Sequence, residues 1–365
     1  MDHRGRQQRL QNSLSAHRLD ALLVTHPPNI RYLCGFTGSA GVFLVTATKT
    51  VFFTDGRYTE QAQAEVQLAR IVIARKGPLA AVAEWLSAPE KRRPKASPFK
   101  VGIEGERLTV AARSQLAGKL PSNVRLRQAP PLVEMARMVK DTDEMGCIRS
   151  AALLGASLFE RALEVIRPGV RETEVAAEME YAARKAGAAE MSFATIIASG
   201  ERSALPHGRA SQAAIPSQGF VVCDFGVILS GYCSDMTRTV YVGRPSAEAR
   251  GVYQAVQQAQ QAAVDTVRPG LSVGEVDRFA RKSLHKSGLA KYFTHSTGHG
   301  VGLEIHEAPR LAAGQSEILQ PGMVITIEPG VYVPGKWGVR IEDMVVVTKR
   351  GCDVLTPTSK ELVTI

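Results

Sequence analysis

The sequence contains few cysteines, and none of them stand in a close pair. The 365 residues include five cysteines, spread from Cys34 to Cys352 without a C-x-x-C motif. An odd and dispersed count excludes the disulfide framework of a small secreted protein and is typical of thiols that stay reduced in a cytosol. The cysteine pattern therefore predicts a cytoplasmic protein.

Long hydrophobic runs are also missing. No segment reaches the roughly 18 consecutive apolar residues that a membrane-spanning helix needs. The first 24 residues carry charge but lack an apolar core of signal-peptide length. These two absences predict a soluble, unexported chain with no membrane partner.

Acidic residues are outnumbered by basic ones, 35 to 45, which gives a formal charge of +10. A nucleic-acid-binding protein gathers such charge on one face, whereas the basic residues here are dispersed. One short run, Lys91–Lys95, lies among prolines and is interpreted as a solvated loop. The dispersed charge therefore predicts no nucleic-acid partner. No glycine-rich phosphate loop stands between a predicted strand and helix, so we expect no nucleotide cofactor.

The length is large for one domain and suits two. The first part combines short apolar runs with helical periodicity, which predicts an α/β domain. Strands are predicted at 20–25 and 50–54, and helices at 59–70 and 78–87. A proline pair at 130–131 marks the predicted boundary, so the domains are placed at 1–131 and 132–365, and the second opens with a long helix over 140–166.

The second part contains an internal repeat. Residues 167–187 and 268–288, which lie 101 positions apart, both begin with Arg-Pro-Gly and share a Glu-Val pair and a final glycine. Each copy follows a predicted helix and precedes apolar, strand-like runs, at 219–228 and 322–333. This pattern predicts two α+β halves related by a pseudo-twofold axis. Concave sites favour such seams between similar halves.

Each predicted half carries two acidic residues on neighbouring strands. Asp224 and Asp235 belong to the first half, and Glu328 and Glu342 to the second. Buried carboxylates are unfavourable unless they are paired or bind a metal ion, and four of them at one seam repel each other. Divalent cations resolve this repulsion, since bridging carboxylates hold two ions close together.

Histidine is the remaining ligand type in the same region. His299 lies between two glycines that permit a close approach of the backbone, and His306 follows it, while the first half offers His207. A single histidine or a single aspartate is more often an ordinary polar residue than a ligand. The combination of four ordered acids, a glycine-flanked histidine and a duplicated frame indicates a metal site.

These segments resemble the pita-bread metallopeptidases, and within them the proline-specific branch of aminopeptidase P and prolidase. The matching motifs are PHG (206–208), CDFG (223–226), GYCSDMTRT (231–239), TGHGVGLEIHE (297–307), IEPGVY (327–332) and VRIED (339–343), with YLCGFTGSAG (32–41), FTDGRYTEQA (53–62) and RMVKDTDEM (137–145) nearer the N-terminus. The resemblance covers nearly the whole chain. It implies an α/β N-terminal domain followed by an α+β pita-bread catalytic domain.

The resemblance also implies a ligand set. Asp224 is expected to bind one metal ion and His299 and Glu328 the other, while Asp235 and Glu342 bridge the two. With one imidazole and four carboxylates, Mn²⁺ is the expected ion, and Co²⁺, Zn²⁺ and Fe²⁺ are alternatives.

Further roles follow from the resemblance for residues around the ligands. Glu328 is also expected to act as the general base, and His306 to stabilise the oxyanion. His207 is expected on the substrate side. Arg340 is expected to support the ligands by pairing with Asp224.

The predicted function is hydrolysis of the bond before proline in small peptides that begin with Xaa-Pro. An Xaa-Pro aminopeptidase is placed first, and a prolidase, which accepts dipeptides alone, is the alternative with the same metal site. A non-enzymatic binding protein on the same fold is a further alternative, which five intact ligands disfavour. The family tendency implies a homodimer.

Overall fold

The computed structural model describes residues 1–88 and 98–365. The basic run at Lys91–Lys95 lies outside the described residues, so its interpretation as a loop stays a prediction. The chain divides into two compact units, Met1–Arg137 and Met138–Ile365. Among the described residues, no helix is both long enough and apolar enough to cross a membrane.

The N-terminal unit is built on one mixed sheet flanked by helices. Its described strands are β1 (Ala21–Val24), β2 (Val42–Thr46), β3 (Thr50–Asp55), β4 (Arg70–Ala74), β5 (Phe99–Glu104) and β6 (Val124–Ala129), in the order β4-β3-β2-β1-β5-β6. The helices are α1 (His3–Ser13), α2 (Pro27–Cys34), α3 (Thr59–Glu65), α4 (Pro78–Ser87), α5 (Val110–Ala117) and α6 (Leu132–Met138). β1–β2 and β2–β3 pair antiparallel and the other strands pair parallel, so the predicted α/β class is confirmed.

Two sequence expectations for this unit differ from the structure. The helix predicted over 59–70 ends at Glu65, because Val66 turns to an extended conformation and Leu68 has a φ of 59°. The amide of Gln67 then donates to the carbonyl of Cys34 (2.8 Å) instead of continuing the helix. The unit also extends past the boundary predicted at 131.

Helix α6 accounts for this extension, because its polar side chains bond within the N-terminal unit. The buried Asn29 amide donates to Glu134 Oε1 (2.8 Å) and accepts from Arg137 Nη1 (2.6 Å). These two bonds hold the helix to α2, which precedes it by about a hundred residues.

The C-terminal unit contains several small sheets covered by four helices within its described residues. The helices are α7 (Thr142–Val165), α8 (Glu172–Lys185), α9 (Ala247–Val264) and α10 (Val273–Lys286). The strands are β7 (Glu190–Met191), β8 (Ile196–Ser199), β9 (Gly219–Phe225), β10 (Val227–Leu229), β11 (Tyr232–Cys233), β12 (Met236–Val242), β13 (Gly298–Gly300), β14 (Glu307–Leu311), β15 (Val324–Ile327), β16 (Gly330–Val333), β17 (Trp337–Arg340), β18 (Asp343–Val347) and β19 (Cys352–Val354). The central sheets run β12-β9-β8 and β14-β13-β15-β18-β19.

The duplication predicted from the repeat is confirmed by equivalent local structure in the two halves. Helices α8 and α10 have equal length and begin 101 residues apart. The glycines that precede them, Gly169 and Gly270, have nearly equal φ angles of 85° and 83°. Only a residue without a Cβ atom adopts this left-handed conformation readily, so the shared Arg-Pro-Gly sequence marks the same turn in both copies.

Each half has its own hydrophobic core. Residues of α7 and α8 pack on β9 and β12 in the first half, and residues of α9 and α10 pack on β15 and β18 in the second. The long helix α7 begins at a capping box, in which Asp141 and Glu144 each accept from the other's backbone amide (both 2.9 Å). The two covered sheets bring the acidic strand ends towards one region of this unit.

Candidate metal centre and substrate cavity

The four acidic residues lie on two antiparallel hairpins, one in each half. Asp224 lies in β9 opposite Thr237 of β12, and Asp235 directly precedes β12. In the second half, Glu328 directly follows β15 and Glu342 directly precedes β18. Because β15 pairs with β18 through Ile327 and Asp343, the two glutamates lie at the same end of their hairpin.

Thr237 connects the two hairpins. Its hydroxyl donates to Glu342 Oε2 (2.7 Å), and its carbonyl accepts the amide of Glu342 (3.1 Å). Both residues are buried, so these bonds fix the first half against the second beside the acids. The acidic ends of both hairpins therefore lie together.

His299 faces these acids from β13. Its Nδ1 lies 3.0 Å from the Gly300 carbonyl and must donate to it, which leaves Nε2 unprotonated in the neutral ring. That Nε2 is 3.5 Å from Asp235 Oδ2 and 3.4 Å from Glu328 Oε1. The imidazole therefore presents a lone pair to the carboxylates.

The glycines around His299 are required by close packing. A Cβ atom at Gly298 would lie 1.9 Å from the Thr326 carbonyl oxygen, and one at Gly300 would lie 2.2 Å from the Ala308 carbonyl oxygen. Both obstacles are backbone atoms, so neither position accepts a side chain without movement of β14 or β15. The Gly-His-Gly sequence is thus what allows the histidine to reach the acids.

The donor atoms fit a divalent cation. Asp235, His299 and Glu342 each offer one ligand atom, and these atoms lie within 4.8 Å of one another. Two buried carboxylate oxygens, Asp224 Oδ1 and Glu342 Oε1, have no hydrogen-bond partner among the described residues. A buried acceptor without a donor is costly, and a metal ion satisfies it.

The pKa shifts of the buried acids also favour a bound cation. Burial, followed by repulsion from Glu342, raises the pKa of Asp235 well above its usual range. Burial, followed by repulsion from Glu328, does the same to the pKa of Glu342. Burial also raises the pKa of Glu328 to about 7, although the charge of Arg340 opposes the shift. The acids are thus too close to be ionised together without added positive charge.

Arg340 supplies part of that charge from β17. Its buried guanidinium donates to Asp224 Oδ2, and its Nε donates to the Thr237 hydroxyl (3.1 Å). Its Nη1 donates to the Tyr332 hydroxyl (2.5 Å) and to the Pro206 carbonyl (3.1 Å). Arg340 therefore joins one acid to the chain around His207.

His295 is a site residue that sequence reasoning missed. Its Nε2 lies 3.0 Å from the Tyr332 hydroxyl, and its Nδ1 lies 2.8 Å from the Ser296 carbonyl. Burial and then the charge of Arg340 lower the pKa of His295 to about 4, so the ring is neutral at pH 7. The signal that could have revealed it is its position four residues before His299, in the same histidine- and glycine-containing motif.

A cavity of about 620 Å³ opens beside the acids. The side chains of His207 and His306 are exposed in it, and the His306 ring lies 4.4 Å from the ring of His299, centroid to centroid. Two arginines that sequence reasoning also missed, Arg209 and Arg310, line the same cavity. The lining residues are Phe193, Ala194, Ile196, Pro206, His207, Arg209, Asp224, Asp235, His295, Ser296, His299, His306, Glu307, Arg310, Glu328, Arg340 and Glu342.

The chain matches two family models. Residues 146–349 match metallopeptidase family M24, and residues 6–139 match the creatinase/prolidase N-terminal domain. The matched ranges include every residue of the acid and histidine cluster. They also cover most of both structural units.

Individual relatives span nearly the whole chain. An Xaa-Pro dipeptidase of Pyrococcus furiosus is 36% identical over 98% of this chain and 99% of its own. Among solved structures, an Xaa-Pro dipeptidase from Bacillus anthracis has a TM-score of 0.94 and 40% identity, with both chains covered completely. An X-Pro aminopeptidase from Thermotoga maritima has a TM-score of 0.87 and 32% identity, over 97% of this chain and all of that one.

These relatives confirm the predicted proline-specific metallopeptidase branch. They also help to choose between the two enzyme types of this branch, the aminopeptidase and the dipeptidase. The sequence motifs placed an aminopeptidase first and a dipeptidase second, whereas the similar proteins support the dipeptidase better.

Proposed function

The chain belongs to metallopeptidase family M24, and from this membership we propose that it is a two-metal exopeptidase that hydrolyses Xaa-Pro dipeptides. The observation that carries the proposal is the lining of one cavity by both the acid cluster and two arginines, Arg209 and Arg310. A dipeptide has an ammonium group and a carboxylate at opposite ends. The cavity offers charges that complement both.

The arginines favour a dipeptide over a longer peptide. Arg310 lies in β14 directly opposite His299, and Arg209 lies two residues after His207. Guanidinium groups stay charged at all relevant pH values and bind carboxylates in a bidentate manner. In a longer peptide the same position holds a neutral amide, which gains less from a cation.

The metal ligands are proposed from the donor set. Asp224, Asp235, His299, Glu328 and Glu342 would together hold two cations. Four carboxylates and one imidazole suit Mn²⁺, with Co²⁺, Zn²⁺ or Fe²⁺ as the alternatives that metal analysis distinguishes. When bound, such cations supply Lewis acidity that activates water and polarises the scissile carbonyl.

The side chains of this chain perform the proton transfers and the orientation. The Glu328 carboxylate accepts a proton from the attacking water and returns one to the proline nitrogen, which has no hydrogen of its own. His306 donates a hydrogen bond to the carbonyl oxygen as it gains negative charge. His207 lines the cavity beside Arg209 and orients the proline side of the substrate.

A panel of three substrates tests the proposal. With Mn²⁺ present, we expect the enzyme to hydrolyse Leu-Pro, and to act at least about 10-fold less efficiently on Leu-Pro amide and on Leu-Pro-Pro, because a charge-assisted bond contributes about 1.5–3 kcal/mol. Equal activity on Leu-Pro-Pro identifies an aminopeptidase instead. Metal binding without any hydrolysis identifies a binding protein.

Substitution of the arginines sharpens this test. Arg310→Gln is expected to raise KM for Leu-Pro roughly 10-fold, since it removes one charged donor, and to leave KM for the amide nearly unchanged. Arg278→Gln, an exposed arginine of α10 that pairs with Glu275, serves as the control. An equal loss for both substrates refutes recognition of the carboxylate.

Two further predictions concern the location and the assembly of the protein. A cytoplasmic location is proposed, because the five cysteine thiols are free in the structure and suit a reducing environment. A homodimer is proposed from the family resemblance. Fractionation and analytical ultracentrifugation test these two predictions.

A further inference from the structure

The loop between Ser199 and Ser211 carries His207 and Arg209 into the cavity. We propose that Glu172, at the start of α8, is the positioning residue that holds this loop and so places Arg209 for recognition of the substrate carboxylate. The expected effect on substrate recognition rests on the proposed function. It does not involve the metal ligands.

Glu172 closes the loop at its base by binding both ends. Its Oε1 accepts from the amide (2.8 Å) and the hydroxyl (2.9 Å) of Ser199. Its Oε2 accepts from the amide (3.1 Å) and the hydroxyl (2.7 Å) of Ser211. One side chain with no exposed surface thus joins two residues that are twelve positions apart.

Arg202 extends this connection to the residue that faces the substrate. Its Nε donates to both oxygens of Glu172 (3.2 and 3.0 Å), and its Nη2 donates to the carbonyl of Arg209 (2.8 Å). The Arg209 backbone is therefore linked to Glu172 through a single intervening side chain.

The far side of the loop is held by β17. Arg340 donates to the Pro206 carbonyl (3.1 Å), and the amide of Gly338 donates to the Ser203 hydroxyl (2.8 Å). These contacts restrain the segment before His207, but they do not reach Arg209. Loss of Glu172 is therefore expected to affect the Arg209 end of the loop most.

The second half uses a similar arrangement. Asp277 of α10, which is buried, accepts from the Thr297 hydroxyl (2.8 Å) and from Arg281 Nε (2.8 Å). Arg281 in turn donates to the carbonyls of Phe293 (3.1 Å) and His295 (2.6 Å). In both halves a helix carboxylate and an arginine thus fix a chain segment that lines the cavity.

Glu172→Gln is the substitution that tests this role. Each carboxylate oxygen accepts a backbone amide, from Ser199 on one side and Ser211 on the other, and neither amide can reverse its direction. Whichever way the glutamine side chain turns, its NH₂ group opposes one of these N–H groups. The variant keeps the shape of the side chain but breaks one end of the loop base.

The measurement compares KM for Leu-Pro with KM for Leu-Pro amide. For Glu172→Gln we expect KM for Leu-Pro to rise about 10-fold or more, because small displacements of binding groups are costly, with little change for the amide and with metal content as in the wild type. Arg202→Gln, whose side chain is 34% exposed, is expected to do the same while the four serine bonds to Glu172 stay in place. Arg161→Gln, an exposed arginine paired with Glu164 and Glu178, is the control.

Hydrogen exchange separates this inference from the proposed function. Both variants are expected to speed the exchange of amides 208–211, at the Arg209 end of the loop, relative to the rest of the C-terminal unit. Unchanged exchange there, or equal losses of kcat for both substrates with the KM ratio preserved, overturns the inference. Faster exchange in a protein that does not prefer Leu-Pro over its amide supports positioning by Glu172 and overturns carboxylate recognition instead.

Discussion

Arg238 of the first half offers a direct test of how the two halves are joined beside Glu342. This residue lies in β12, is 2% exposed, and pairs with Asp343 Oδ1 (2.7 Å). Its guanidinium also donates to four backbone carbonyls, those of Thr237 (2.9 Å), Glu342 (2.5 Å), Thr358 (2.7 Å) and Ser359 (3.0 Å). Substitution to methionine keeps most of the volume and removes every donor.

The expected loss follows from what the buried partners retain. Removal of one member of a buried ion pair costs about 3–5 kcal/mol. Asp343 keeps three other donors, Gln260 (2.9 Å), Thr356 (2.7 Å) and Lys360 (3.0 Å). Lys360 still supplies a positive charge to Asp343, but the carbonyls of Glu342, Thr358 and Ser359 also lose the Arg238 donor. We therefore expect Arg238→Met to lower the free energy of unfolding by at least about 3 kcal/mol, the lower end of that range.

Urea unfolding followed by tryptophan fluorescence measures this loss. The chain has two tryptophans, Trp85 in α4 and Trp337 in β17, so a Trp85→Phe background reports on the C-terminal unit alone. The double variant Arg238→Met/Asp343→Leu is expected to recover part of the loss, because replacing both members of a buried pair leaves no unpaired charge. A single-variant loss below about 1 kcal/mol would refute the reasoning.

Three other predictions concern the site. Glu328→Gln is expected to lower kcat on Leu-Pro by at least about 100-fold, because it removes the general base. The circular dichroism spectrum of the variant should match that of the wild type. Near-normal turnover would contradict the assignment of Glu328 as the general base. Burial and then the charge of Arg340 lower the pKa of His295 to about 4, and Arg281 and His207 also face it. The unfolded chain therefore binds more protons at this residue between pH 6.5 and 4, so the contribution of His295 to stability is full above about pH 6.5 and is lost towards pH 4. In urea titrations His295→Gln should remove this contribution, so the difference in unfolding free energy between wild type and variant should change between pH 6.5 and 4, and a constant difference counts against it. Gly298→Ala is expected to abolish metal binding or folding, because its Cβ atom would lie 1.9 Å from the Thr326 carbonyl oxygen. The control is Gly251→Ala on α9, where an added Cβ atom meets open space. Metal analysis and thermal unfolding of this control should match those of the wild type.

The sequence predicted the fold well where periodicity and repetition were strong. The Arg-Pro-Gly repeat located α8 and α10 and hence the two halves, because a left-handed glycine and a helix start leave a clear local pattern. The helix at 59–70 was overestimated because its end depends on a bond from Gln67 to Cys34, which lies about thirty residues earlier. No local pattern reports such a contact.

The residues of the candidate site also fall into those that a sequence pattern predicts and those that depend on tertiary contacts. Asp224, Asp235, Glu328 and Glu342 stand out because four acids beside apolar runs, two in each repeated half, occur together with a glycine-flanked histidine. Arg209, Arg310 and His295 were missed because they lie in loops or on exposed strand positions where such residues are common. Glu172 gave no signal at all, since its partners Ser199 and Ser211 are small polar residues far away along the chain. Their roles depend on tertiary contacts.

Metal stoichiometry tests the central claim most directly. Elemental analysis of the wild type dialysed against Mn²⁺ is predicted to give two ions per chain, and the Asp235→Asn/Glu342→Gln double variant fewer than one, with peptidase activity lost in parallel. A wild type that retains no metal and still hydrolyses Leu-Pro at full rate after chelation would contradict the claim that acids from both halves converge to hold cations.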